Sequence, residues 1–133
     1  MAIRFVEIHE AEDSEKLNTE WVVIHNDGKG PFHTRGCGMT VGRRGSVKKS
    51  LLGVIDPGFT LAPGEKIRMC TGSSGQESHG NAPEDDTKNY YLFLPKTYLA
   101  GKGTVLTLIL RGLQVSKTEY DPEVKGGIAV VKA

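Results

Sequence analysis

Between two polar stretches the chain runs Glu20-Trp21-Val22-Val23-Ile24-His25-Asn26, a set of β-branched residues beside the only tryptophan of the sequence. β-branched and aromatic side chains suit a pleated, half-buried backbone, and an indole there buries on the order of 200 Å². The run therefore predicts a central strand, with Trp21 and Val23 expected in the core. Asn26-Asp27-Gly28-Lys29-Gly30-Pro31 follows at once, a string of turn residues that ends it.

The same alternation recurs along the chain. Ile3 to Ala11 reads as a strand, with Ile3, Phe5 and Glu7 on one side and Val6 and Ile8 on the other. Glu12 to Asn18 has one apolar member, Leu17, too few for a helical face, and reads as a loop. Cys37, Met39 and Val41 recur with period two in a third strand from His33 to Val41. Gly42 to Ser50 is an exposed loop or hairpin tip, and Leu51 to Ile55 restores apolar character before Asp56-Pro57-Gly58 breaks it. In Ala62-Pro63-Gly64-Glu65, proline and then glycine fit the two central positions of a type II turn. Ile67 and Met69 continue as a strand with core positions.

Thr71 to Lys88 is the one long connection without pattern, and a loop of that length in a small domain is mobile or functional. Order returns at Asn89 to Leu94. Thr104 to Leu110 alternates with Leu106 and Leu108 in the core, and Arg111-Gly112 closes a tight hairpin into Leu113 to Glu119. Ile128 to Val131 is a candidate last edge strand. Seven to nine short strands, frequent turns and no convincing helix predict an all-β antiparallel sandwich, with a barrel as the alternative and a repeat architecture excluded.

Composition narrows the picture without supplying a chemistry. The 133 residues form one domain, 1–133, with its core from about 3 to 121 and residues 122–133 as an extension or edge strand. Seventeen basic against sixteen acidic residues create no global field that would draw nucleic acid or an anionic membrane. Cys37 and Cys70 lie in neither metal nor redox spacing and read as two separate thiols. The start, Met1 to Phe5, has no signal-peptide pattern and nowhere do eighteen apolar residues run together, so a cytoplasmic protein that does not enter a membrane is expected.

Several of these pieces occur in a telling order: Glu20 to Asn26, then Gly36-Cys37-Gly38-Met39, then Leu61-Ala62-Pro63-Gly64-Glu65-Lys66-Ile67 and Thr71-Gly72, then Val105 to Leu110 with Arg111-Gly112 and Tyr120. In that order the chain resembles the lamin-tail domain over residues 3 to 121. It departs from the family pattern at Cys37, where members often carry tryptophan, at Tyr98, which stands where another tryptophan is common, and at Arg43 and Arg44, where an acidic residue often follows the third strand. The resemblance implies an immunoglobulin-like sandwich without an inter-sheet disulfide, used as an interaction module for proteins, chromatin or DNA and as an accessory module in prokaryotic proteins. No heptad segment is present, so a filament role is excluded for this chain.

The candidate chemistry is sparse. Arg43, Arg44, Lys48 and Lys49, joined by Arg35, place a carboxylate-free basic cluster beside glycine and serine, a pattern able to contact phosphates. No aromatic residue interleaves to stack bases. The loop from Thr71 to Gly80 has the glycine of a phosphate-binding loop but neither its Gly-Lys-Ser/Thr ending nor the strand-to-helix setting, and reads as a flexible linker. Asn81 and Glu84-Asp85-Asp86 lack calcium-loop spacing, and the four histidines show no metal-ligand pair. His25 shares a face with Trp21 and Val23 and reads as a half-buried, hydrogen-bonded imidazole. Ser, His and Asp occur without a nucleophile elbow. Tyr90, Tyr91, Phe93 and Tyr98 leave one aromatic set to be covered by the long loop or exposed to a partner.

The expectation is a non-enzymatic module without cofactor, metal or small-molecule substrate, binding protein or itself through a sheet edge or aromatic face. Binding of DNA or another polyanion through residues 43–49 is the alternative, and an accessory role in a hydrolase system stands further off.

Overall fold

The computed structural model describes residues 3–74 and 77–129. Among these residues ten strands are present, two of them only two residues long. They are β1 (Ile3–His9), β2 (Trp21–Asn26), β3 (Phe32–His33), β4 (Gly38–Arg43), β5 (Lys49–Val54), β6 (Thr60–Leu61), β7 (Lys66–Cys70), β8 (Lys88–Tyr91), β9 (Thr104–Leu110) and β10 (Leu113–Glu119). Two four-stranded sheets, β1-β2-β7-β8 and β10-β9-β4-β5, enclose one core, and β3 pairs with β6 at the rim. The architecture is an all-β sandwich, and among the described residues the only helix is two three-residue 3-10 turns, Leu17–Thr19 and Glu77–His79. Among the described residues no helix is long and apolar enough to cross a membrane.

Strand parity sets the core. In the first sheet Val22 lies opposite Met69 and Ile24 opposite Ile67, and Phe5 and Ile8 of β1 flank the same pair. In the second, Met39 faces Leu108 and Val41 faces Leu106. All of these belong to, or pack on, one buried cluster. Fully burying one such side chain contributes roughly 1.5–3 kcal/mol.

Several expectations need correction. Trp21 is not sealed between the sheets. It is half-buried on the outer face of the first sheet, because Val22 and Ile24 take the inward positions and a strand cannot turn neighbours the same way. Val23, although buried, shares that outer side with Trp21 and lies outside the central cluster. Glu7 does not face Phe5's side, because a bulge at Val6 shifts the register and turns Ile8 inward and Glu7 outward. The third strand begins at Gly38 and runs to Arg43.

The sandwich is also not wholly antiparallel, since β8 runs parallel to β7. A parallel neighbour requires the chain to travel back the length of the strand, a crossover of a dozen or more residues. That need explains the long connection from Thr71 to Thr87, whose described residues are anchored and do not form a free linker. Asn18 donates from Nδ2 to the carbonyls of Ser73 and Gly80, both at 3.1 Å, and accepts the Gly72 N–H at 3.0 Å.

Two turns form as the residues predict. Gly64 takes φ +81° and the Glu65 N–H donates to the Ala62 carbonyl at 3.0 Å. Arg111 and Gly112, at φ +53° and +79°, join Leu110 directly to Leu113 across the β9–β10 hairpin. At the other end of the chain Ile128 bridges Tyr120, while Val130 and Val131 of the expected last strand lie outside the described residues.

Candidate functional site

The two sides of the sandwich end differently. On one side β1 and β10 approach each other, and the segment after β10 seals them: the Ile8 N–H donates to the Gly126 carbonyl at 2.8 Å and the Ala129 N–H to the Glu119 carbonyl at 2.9 Å. On the other side the edges are β5 and β8. Leu52, Val54 and Ile55 there line a small apolar pocket of about 30 Å³ with Met39, Met69, Leu92 and Leu94. Beside it, Val54, Asp56, Tyr90, Tyr91 and Phe93 border a cleft of about 270 Å³.

Four of the five exposed large apolar side chains among the described residues lie on or next to β5 and β8. Leu51 is 63% exposed, Val54 55%, Phe93 68%, and Val47, just before β5, 96%. Only Leu113 among the described large apolar side chains is comparably exposed elsewhere. The aromatic run divides by parity: Tyr90 turns inward, packs on Phe59 at 4.9 Å and donates its hydroxyl to the Pro57 carbonyl at 2.7 Å, while Tyr91 shares the outer side with Cys70. Tyr98 is held elsewhere, its N–H 3.1 Å from a Glu20 oxygen.

The basic cluster is brought together only in part. Arg43 is committed to structure, since its guanidinium donates to the Ala100 carbonyl at 2.8 Å, the Lys102 carbonyl at 2.9 Å and the Thr104 hydroxyl at 3.3 Å. Arg35 does not join the cluster. It precedes β4, whereas Arg43 ends that strand and the others follow it, a separation of about 20 Å along six strand residues, and it lies 3.7 Å from Asp56. Arg44 stands 3.7 Å from Glu119. Lys48 and Lys49 have no ion pair among the described residues. What the sequence order hides is Lys117 of β10, which lines the same groove of about 340 Å³ as Arg44, Lys49, Thr107 and Glu119.

The remaining polar clusters are built for stability. Glu20 is fully buried, and its carboxylate accepts from the Thr71 hydroxyl at 2.7 Å and from the Tyr98 and Leu99 amides, both at 3.1 Å. Burial pushes its carboxyl above the ordinary range, and the Thr71, Leu99 and Tyr98 hydrogen bonds oppose that shift. Trp21 stacks on His9 with centroids 4.0 Å apart, donates Nε1–H to Glu7 at 3.0 Å, and has the Arg68 guanidinium 5.3 Å from its ring. Arg68 donates to Asp85 at 2.7 Å and to Asn89 at 2.7 Å. That pairing holds the Asp85 carboxyl below its usual range and occupies the middle of the acidic Glu84-Asp85-Asp86 run.

His25 is half-buried and bonded to Asp27. Cys37 and Cys70 are both buried and free, and burial lifts the Cys70 thiol to about 12 and raises Cys37. Both thiols are thereby kept in the unreactive protonated form.

No family model matches the chain, and no curated protein matches it either.

Proposed function

We propose that the chain is a non-enzymatic interaction module of the lamin-tail, immunoglobulin-like kind, which binds an extended protein segment along β5. The carrying observation is the conjunction of an edge strand left uncovered among the described residues, with Leu51 exposed on its outer side, and of Val54 and Phe93 exposed beside an apolar opening between the sheets. An edge strand offers a row of N–H and C=O groups that a partner strand can pair with, while neighbouring pockets select its side chains. The other long edges, β1 and β10, have part of their backbones taken up by Gly126 and Ala129. The succession of the Trp21 strand, the Pro63-Gly64 turn, β7 and the β9–β10 hairpin supports the family reading, and the buried, hydrogen-bonded state of the polar clusters supports a module without chemistry of its own.

The test uses the double variant Leu51→Lys/Val54→Lys and a photo-reactive residue placed at position 51, with exposed Lys16 as the control position. The reading predicts either a dimer in sedimentation velocity that the double variant abolishes, or a discrete protein adduct from native lysate at position 51. A wild type that stays monomeric at every concentration, together with no adduct at 51 beyond that at 16, removes it.

A further inference from the structure

The groove at the base of the β4–β5 hairpin lies on the outer face of the second sheet. Four cations line it, Arg43 at the end of β4, Arg44 from the hairpin, Lys49 from β5 and Lys117 from β10, and of these Arg43 is taken up by the Ala100 and Lys102 carbonyls. Glu119 is the one carboxylate among its lining residues and stands by Arg44. Lys49 and Lys117 therefore remain without an ionic partner among the described residues.

Beneath them is Thr107, only 2% exposed, which alternation turns away from the core that takes Leu106 and Leu108. Its hydroxyl has no hydrogen-bond partner among the described residues, and neither does that of Thr40, directly opposite on β4. A buried hydroxyl left unpaired costs about 1–3 kcal/mol. Two side by side under a cationic rim call for a specific explanation.

We propose that this groove binds a tetrahedral oxyanion, a phosphate monoester or sulfate group. Arg44, Lys49 and Lys117 neutralise its charge, and the Thr107 hydroxyl donates a hydrogen bond to one of its oxygens. The cations converge on one spot and do not form a track, since Arg43 is bound to backbone carbonyls and Arg35 lies at the far end of β4. A single anionic group fits that arrangement better than a nucleic-acid backbone, whose affinity grows with the number of phosphates neutralised. This inference is independent of binding at the β5 edge and survives or fails separately.

The test is a titration of the labelled protein, followed by amide chemical shifts, with inorganic phosphate, inorganic sulfate, phenyl phosphate and heparin. Saturable shifts at Ser46, Thr107 and Lys117 are expected with the small anions, and tighter binding of phenyl phosphate than of inorganic phosphate assigns the source to an ester. Lys117→Met should weaken binding about tenfold and the isosteric Thr107→Val about fivefold with the fold intact, on a scale where tenfold is about 1.4 kcal/mol. Shifts scattered over exposed lysines such as Lys16 and Lys29, an adventitious ion only, overturn the proposal. So does unaltered affinity in Lys117→Met and Thr107→Val. Tight heparin binding with no saturable response to phenyl phosphate replaces the small oxyanion by a polyanion.

Discussion

On the outer face of the first sheet, Arg68 reaches Asp85 and Asn89, Trp21 lies against His9 and bonds to Glu7, and Cys70 is fully buried. On the outer face of the second, Thr40 and Thr107 keep unpartnered hydroxyls, and Leu51 and Val54 stand in solvent. The first face is covered by the protein's own Thr71 to Thr87 crossover, which the parallel β7–β8 pair makes necessary. Among the described residues the second has no such strap. Most polar groups on the first face find partners within the chain and hold the fold, Arg68 Nε being an exception, whereas the groups left over on the second are those proposed to meet a ligand or partner.

The largest effect is expected at the anchor of the covered side. Glu20→Gln turns an amide toward three donors and should lower stability by about 3 kcal/mol, read as a fall in Tm. The wild type adds a pH signature. Because the folded Glu20 carboxyl sits above its ordinary value of 4.5, the native state keeps a proton that the unfolded chain has released. Glu20's contribution is fully present below the unfolded value and declines as pH rises through the raised folded value. Asp85, held low by Arg68, acts in the opposite sense, its contribution present above the unfolded value and lost as pH falls through the folded one. Urea midpoints across the acidic range should show the rising-pH loss in the wild type and not in Glu20→Gln.

Next comes the strap itself. Arg68→Met removes the bonds to Asp85, Asn89 and the Pro83 carbonyl together and should lower Tm by less than Glu20→Gln does, with new protease cleavage between residues 80 and 88. A strap that stays resistant would mean that Asn18 alone secures it.

A smaller change, of opposite sign, is expected on the bare face. Thr107→Val removes an unpaired hydroxyl and should raise ligand-free stability by about 1 kcal/mol, whereas Thr71→Val, which breaks the bond to Glu20, should lose about as much. Equal losses at both positions would abolish the contrast between the faces. Smallest of all, Leu51→Lys should leave thermal stability within about 0.5 kcal/mol of the wild type, although its site is the one proposed to bind a partner.

Residue type and spacing were enough for the all-β class, the Pro63-Gly64 and Arg111-Gly112 turns, and the inward placement of Ile67, Met69, Leu106 and Leu108, because each depends on near neighbours alone. The inward face of β2 was not legible, since Val22, Val23 and Ile24 are all buried and no polar residue marks the outer side until His25. Size favoured Trp21 for the interior; pairing with β7 decided otherwise. The parallel direction of β8, the separation of Arg35 from Arg44, and the arrival of Lys117 beside Lys49 depend on how strands far apart in the chain are ordered in a sheet. Alternation says which residues share a face, and only the closing of long loops in three dimensions says which faces meet.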